Sequence, residues 1–209
     1  MRRIVVLVLL LTTLPLLNTA QADQDALTVL NSLEVKGRAA KTGYARSQFP
    51  HWSDPDRNGC DARNDTLKRD LTEVIYKAGT RDCKVISGLL LDPFSGKVIT
   101  FSSTKSNIDI DHVVALSNAW QTGAAYFDKT KRQQIANDPL NLLAVDFSLN
   151  RQKGDGDAAT WLPPLKSYRC DYVARQIAVK AKYGLWVTQA EKGAIIKLLE
   201  KCEGQKLPN

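Results

Sequence analysis

Between Ile108 and Asp155 the chain carries two short apolar runs bracketed by Asp, Asn and His, followed by a polar segment ending in Lys-Gly, and this stretch limits the fold more than any other. Asp109-Ile110-Asp111-His112-Val113-Val114 reads as a strand that ends in Asp-His, and Leu142 to Val145 as a second strand preceded by Asn137-Asp138-Pro139-Leu140-Asn141. Asn150-Arg151-Gln152-Lys153-Gly154-Asp155 then opens a helix. Strand, strand and helix are thus expected in that order, with polar side chains between them.

Those side chains suit phosphodiester hydrolysis, which needs a base to deprotonate water and a cation to neutralise charge on phosphate and the departing oxygen. His112 is the one side chain of the stretch whose ordinary pKa fits a base near neutral pH. Asp111, next to it on an extended strand, points to the other side of the pleat unless the strand ends there, so the two need not share a task. A hard, oxygen-preferring ion would accept the Asp111 carboxylate and the Asn150 amide oxygen and leave positions open for water and phosphate. An Asp-His pair alone is more often structural than catalytic; three signals in fixed order carry the reading.

The stretch resembles the HNH endonucleases, also called His-Me-finger or ββα-metal nucleases, and in particular small secreted proteins related to the C-terminal nuclease domain of GmrSD-type modification-dependent restriction enzymes. The matching runs are 108–117, 137–145 and Lys153-Gly154-Asp155-Gly156-Asp157, and the likeness extends from about Leu33 to the last helix. It implies His112 as general base, Asp111 and Asn150 as metal ligands, and Asn141 as the brace behind the base. It also implies products with 5′-phosphate and 3′-hydroxyl ends. Asp and Asn stand where the HNH name has its first and last His, and these hard ligands favour one Mg²⁺ (or Mn²⁺) over Zn²⁺.

At the N-terminus, Arg2 and Arg3 precede an apolar run from Ile4 to Leu17, and Ala20-Gln21-Ala22 gives a small-x-small cleavage pattern. Residues 1–22 therefore read as a secretory signal peptide, shorter than a membrane span needs, and a mature chain is expected from Asp23 with no membrane attachment after cleavage. The remaining 23–209 is expected to be a single domain, with its ββα core over about 108–155 and no internal repeats. Formal charge is +7, or +5 without Arg2 and Arg3, a bias that suits a polyanionic partner but does not require one. Four cysteines behind a signal peptide suggest two disulfides, and none sits in a Cys-x-x-Cys pair. Three pairings are possible; local closure favours Cys60 with Cys83 and Cys170 with Cys202, and the sequence does not fix the choice.

Elsewhere, 23–35 predicts a short amphipathic helix, and the turn-rich 51–59 an ordered loop in which Asp54, Asp56 and His51 read as a surface turn in preference to a metal site. Asp61 to Lys77 predicts one helix, with Leu67, Leu71, Val74 and Ile75 on a face. Arg63 and Asn64 in its first turn are candidates to reach substrate. Residues 84–91 and 97–102 predict a hairpin about Asp92-Pro93-Phe94-Ser95-Gly96, and 117–127 and 129–136 predict helices inserted between the finger strands, with Trp120 in the core. The Gly-Asp-Gly-Asp run lacks a full calcium-loop pattern. Lys166 to Tyr183 predicts a basic helix and Thr188-Gln189-Ala190-Glu191 a capping box for the last one.

The expectation is an α+β domain: a small antiparallel sheet carrying the finger, wrapped by helices, acting outside the cytoplasm as a monomer. The expected activity is metal-dependent hydrolysis of nucleic acid, DNA first and RNA second. Lys153, three residues past Asn150 on nearly the same helical face, is a candidate phosphate contact, and Arg175 a weaker one. The competing readings are a secreted polyanion-binding protein without chemistry, which has no need of Asp111, His112 and Asn150 together, and a nuclease effector toxin, which would travel with a cognate inhibitor.

Overall fold

The computed structural model describes residues 24–105 and 107–208; the expected signal peptide lies outside them. In chain order the elements are α1 (Ala26–Ser32), α2 (Ala62–Asp70), β1 (Leu71–Tyr76), β2 (Val85–Leu91), β3 (Val98–Ser102), β4 (Ile108–His112), α3 (Leu116–Gln121), α4 (Lys129–Asn137), β5 (Leu142–Asp146), α5 (Phe147–Lys153), α6 (Arg169–Tyr183) and α7 (Gln189–Leu199). The fold is α+β, as the sequence predicts.

Two small antiparallel sheets result, β1-β2-β3 and β4-β5. In the second, His112 faces Leu142 and Ile108 faces Asp146. α5 follows β5 directly, with Asp146 capping it by accepting the Leu149 N–H. β4, β5 and α5 thus make the expected strand-strand-helix unit.

The clearest departure from prediction follows α2. The helix expected over 61–77 stops at Asp70, and Leu71–Tyr76 is instead the edge strand β1, paired with β2. Leu-Thr-Glu-Val-Ile-Tyr is dense in β-branched and aromatic residues, which favour a pleated surface where a partner strand is available. Leu71 is buried in the strand, and an apolar residue at that position suits a helix face equally well, so helical spacing of the apolar positions did not discriminate. The strand is irregular: its register with β2 shifts between Thr72 and Ile75, where Glu73 takes φ of 50°. Gly88 on β2 lies so close to Leu71 that a Cβ would stand 2.7 Å from Leu71 Cδ2.

The free edge of β5 is covered by side chains. Asp70 Oδ2 accepts the Ala144 N–H at 2.8 Å and Asp92 Oδ1 the Asp146 N–H at 3.0 Å, while Arg69 donates to the Leu142 carbonyl at 2.7 Å. Unpaired strand-edge groups invite association, and here the end of α2 and the β2–β3 turn occupy them. Arg175 belongs to the same arrangement. It was a substrate candidate, but its guanidinium lies 3.4 to 3.5 Å from the Leu140 and Leu142 carbonyl oxygens, which ties α6 to the finger.

Several cations of the basic helix 166–183 likewise find partners within the chain. Lys180 pairs in the core with Glu191 at 2.8 Å, Arg169 donates to the Pro163 carbonyl and Lys182 pairs with Asp138. Alternation of basic and apolar residues gave a helix but not which cations would find internal acceptors. Its N-terminal part, Lys166–Tyr168, is a 3-10 turn. The capping box at Thr188 and Glu191 forms as read. Both disulfides take the local pairing, Cys60–Cys83 and Cys170–Cys202.

Packing follows three clusters that meet behind the finger. Val113, Leu143 and Val145 join Tyr172, Val173 and Ile177 of α6. Val114 and Leu116 join Phe49, Trp120, Ile135 and Val179. Ile108, Ile110, Leu142 and Ala144 join Leu67, Leu90 and Phe101. Both faces of the two-stranded sheet are therefore buried, which holds the joint at Asp111-His112 rigid.

Candidate active site

β4 ends at His112, and the break lets two adjacent side chains reach one pocket. The pocket, about 210 Å³, is lined by Asp111, His112 and Asn150 together with Tyr44, Arg46, Ile110, Ala115, Leu116, Arg151, Gly154 and Asp155. Thus the predicted base and both predicted metal ligands converge. Arg63, Asn64 and Arg175 do not line it.

His112 is fixed through its Nε2, which lies 2.9 Å from the Ala136 carbonyl oxygen. A carbonyl only accepts, so Nε2 carries the proton and Nδ1 carries the lone pair. Burial pushes the imidazole pKa down to about 3, against the Ala136 hydrogen bond, with the charges of Arg46 and Lys153 adding to the depression. The ring is therefore neutral throughout the physiological range. Trp52 lies beside it, ring centroids 5.9 Å apart and tilted by 30°.

Asn141, fully buried, braces the turn after His112. Its Oδ1 accepts the Val114 N–H at 2.8 Å, its Nδ2 donates to the Ile135 carbonyl, and its backbone carbonyl accepts the Val113 N–H at 2.8 Å. The preceding residues serve the same joint: Asn137 Oδ1 accepts the Ser53 N–H, and Asp138 accepts Tyr183 Oη at 2.7 Å. The Asn-Asp-Pro-Leu-Asn run is a hub of hydrogen bonds that sets where β4 ends.

Asp111 and Lys153 form a buried ion pair, their side chains 5% and 0% exposed. Lys153 Nζ donates to Asp111 Oδ1 at 2.8 Å and to the His112 carbonyl at 2.9 Å. Lys153 was expected to meet substrate phosphate; it is instead turned inward, since its helical face looks back on the Asp-His joint. The other carboxylate oxygen, Oδ2, is buried without a hydrogen-bond partner. Burial raises the Asp111 pKa in spite of the Lys153 charge, and the Asp109 carboxylate adds to the rise.

Asn150 donates from Nδ2 to Asp109 Oδ2 at 3.3 Å. That bond orients the amide and leaves its oxygen with no protein donor among the described residues. Asp109 is a residue the sequence reading passed over, although its alternation with Asp111 on the strand was visible. α5 ends at Gly154, whose φ of 51° suits glycine and turns the chain so that Asp155 returns to the pocket. Asp155 accepts Lys41 Nζ at 2.7 Å, and Asp157 is paired with Arg38, so the acidic loop is spent on cations of the N-terminal segment.

An orphaned, buried carboxylate oxygen and a free amide oxygen on one pocket wall are the donor set that a hard divalent cation takes, with its remaining positions filled by water and phosphate. No group of three or more His, Cys, Asp or Glu is arranged to hold a metal among the described residues, so an ion here would have the Asp–Asn pair as its only protein ligands among those residues. Asp54 and Asp56, as expected, cap a turn by accepting the Asn58 and Gly59 N–H groups.

Residues 61–198 match the GmrSD restriction endonucleases, C-terminal domain. The chain belongs to this family. It is also 40% identical over 191 residues to an uncharacterized secreted protein of Arthroderma benhamiae, an alignment covering 90% of this chain and 87% of that one. No solved structure matches. Within the GmrSD C-terminal match fall β4, β5, α5 and every predicted catalytic and metal-binding residue; Tyr44, Arg46 and Trp52, which also surround His112, lie before it. Tyr44 and Arg46 precede, and Trp52 lies within, the turn-rich 51–59 loop, and no spacing signal tied the three to the site. Arg63 and Asn64, which fall within the match, have separate fates. Asn64 is a structural link, its Oδ1 accepting the Val85 N–H and its Nδ2 donating to Asp61. Arg63 lines a second pocket with Lys84, Lys105 and Asp109.

Proposed function

We propose that this member of the GmrSD C-terminal family is a secreted, metal-dependent endonuclease that hydrolyses phosphodiester bonds of DNA, with RNA a second substrate. The observation that carries the reading is the convergence of a neutral, tautomer-fixed His112 with the unpartnered Asp111 oxygen and the Asn150 amide on one pocket. In this reading His112 Nδ1 takes the proton from the attacking water, while the Ala136 carbonyl keeps the ring from rotating and stabilises the imidazolium that forms. Asp111 Oδ2 and Asn150 Oδ1 would hold one Mg²⁺ or Mn²⁺, which supplies charge neutralisation at the phosphate and at the leaving 3′ oxygen. Lys153 keeps Asp111 oriented, Asp109 keeps Asn150 oriented, and Asn141 keeps His112 at the pocket wall.

A base with so low a proton affinity is weak in the resting site. Substrate phosphate brings negative charge next to the imidazole, which raises its pKa toward a useful value at the moment of reaction. Secretion is supported by the secreted relative and the N-terminal sequence; among the described residues no helix is long and apolar enough to cross a membrane. The polyanion-binding alternative is disfavoured by the built site, since a binder has no use for a buried, oriented His beside an orphaned carboxylate.

The test is digestion of plasmid DNA and of RNA with Mg²⁺, with Mn²⁺ and with excess EDTA, using wild type and His112→Ala. Cutting that requires the cation and the histidine is expected. Cutting that persists in EDTA or in His112→Ala refutes the mechanism.

A further inference from the structure

We propose that Arg46, carried by an N-terminal strap outside the family-matched region, is a substrate-binding residue that holds a phosphate of the nucleic acid at the mouth of the His112 pocket. The inference rests on the nuclease reading above and adds to it a residue and a segment.

The strap, residues 34–49, runs across the finger and is fastened along its length. The Lys36 N–H donates to the Val187 carbonyl, the Ala39 N–H to the Gln121 carbonyl, and Trp186 Nε1 to the Gly37 carbonyl. Two ion pairs, Arg38–Asp157 and Lys41–Asp155, latch it to the loop that follows α5. Beyond the latch, Tyr44 and Phe49 pack on Trp120, and Gln48 accepts Arg132 Nη1 at 2.7 Å. These fixings present Arg46, an exposed residue, to the pocket that Asp111, His112 and Asn150 line.

Of the other basic residues close to the finger, Lys153 is committed to Asp111, Arg38 to Asp157, Lys41 to Asp155, Arg69 to Asp70 and Arg175 to backbone carbonyls, while Arg151, which lines the same pocket, lies over the Phe147 ring. Arg46 has no carboxylate or carbonyl partner among the described residues, and its positive field falls on both Asp111 and His112. A guanidinium left unpaired beside a base and a cation site is chemically suited to a phosphate oxygen, which it can engage with two parallel N–H donors. The acidic Asp155 and Asp157 do not compete for it, because Lys41 and Arg38 occupy them. The Gly-Asp-Gly-Asp run thereby gains a role, as the anchor of the strap.

The experiment compares wild type, Arg46→Met, Arg46→Lys and the unlatched double variant Arg38→Gln/Lys41→Gln. DNA affinity is measured in EDTA at several salt concentrations, single-turnover cleavage in Mg²⁺, and melting of each protein. Arg46→Met should melt with wild type, bind DNA roughly ten- to a hundredfold more weakly, and show a salt dependence shallower by about one in the log–log slope. Arg46→Lys should recover the slope but only part of the affinity, having one compact charge in place of a fork. The double variant, if the strap positions Arg46, loses affinity in the same direction, and it carries the test should Arg46→Met fold poorly. A wild type that cuts DNA beside an Arg46→Met that binds and cuts equally well overturns the role of Arg46 alone. A wild type that neither binds nor cuts DNA or RNA overturns the nuclease reading and this inference with it.

Discussion

Lys153 Nζ bonds both Asp111 Oδ1 and the His112 carbonyl oxygen, at 2.8 and 2.9 Å, so that one side chain from α5 clamps the two residues at the end of β4. The clamp consumes one carboxylate oxygen and leaves the other facing its surroundings without a partner. It follows that Lys153 acts on stability and on the orientation of Asp111 before any substrate arrives.

Lys153→Met should destabilise the fold by roughly 3 to 5 kcal/mol, the cost of leaving a buried charge uncompensated. Adding Asp111→Asn to it should return a large part of that loss, because the unpaired charge is then gone. Urea unfolding of the two single variants and the double variant measures this coupling. A Lys153→Met loss below about 1 kcal/mol, a size ordinary for surface changes, defeats the argument.

The buried imidazole makes a statement about pH. Its folded pKa of about 3 lies below the ordinary 6.5, so the folded state binds fewer protons than the unfolded one between those values. Stability contributed by neutral His112 is then fully present above about pH 6.5 and lost as pH falls toward 3, to at most about 4 to 5 kcal/mol. Asp111 and Glu191, raised by burial, act in the opposite sense, contributing stability at low pH that is lost as pH rises through their folded values. The His112 part is isolated by comparison: the stability gap between wild type and His112→Gln should shrink from pH 7 to pH 4. In NMR the His112 ring resonances should stay those of the neutral Nε2–H tautomer down to about pH 5; titration near 6.5 contradicts the buried geometry.

Residues of the site should fail in distinguishable ways. His112→Ala should lower turnover by roughly 10² to 10⁴ and leave cation affinity nearly intact, as expected for a lost base. Asp111→Ala should weaken cation binding and regain part of its activity at high Mg²⁺ or Mn²⁺, and Asn150→Ala should do the same more mildly, an amide being the poorer ligand. Asn141→Ala should lower turnover through displacement of the Val113-Val114 turn, with cation affinity unchanged. Calorimetric cation titrations beside single-turnover cleavage decide this, and a His112→Ala that cuts at the wild-type rate would falsify the assignment of the base.

Disulfides should be required for folding. The Cys60–Cys83 and Cys170–Cys202 links span 23 and 32 residues, for which chain entropy gives roughly 3 to 4 kcal/mol each, together comparable to a domain's whole stability. Reduction should therefore cause cooperative unfolding at moderate temperature, and peptide mapping of the secreted protein should recover these two pairs. Four free thiols in the folded protein contradict the premise.

Much of the site was legible because its chemistry is local. Asp111-His112 at a strand end, Asn141 before the next strand and Asn150 with Lys153 on one helix are fixed by spacing within a ββα unit, and the structure brings all of them to one joint. The misplacements share a physical cause. Lys153 and Arg175 read as candidate phosphate contacts because a sequence shows which side chains carry charge but not which acceptors the fold will bring within hydrogen-bonding reach. The helix expected over 61–77 ran on past Asp70 because an apolar Leu71 fits the pattern of a helix face and of a strand alike, and pairing with the neighbouring β2 selects the strand.

The sequence by itself determined the two strand-like runs and the helix that follows them, the capping box of α7 and the even cysteine count, since each depends on residues a few positions apart or on composition. Tertiary structure alone decided that Lys153 turns inward to Asp111, that Ala136 fixes the His112 tautomer, that carboxylates of Asp70 and Asp92 seal the edge of β5, and that Arg46 stands at the pocket from a segment more than sixty residues upstream of His112. Those are long-range pairings between groups common in any sequence. Their partners are chosen by which buried donors and acceptors must be satisfied once the core closes.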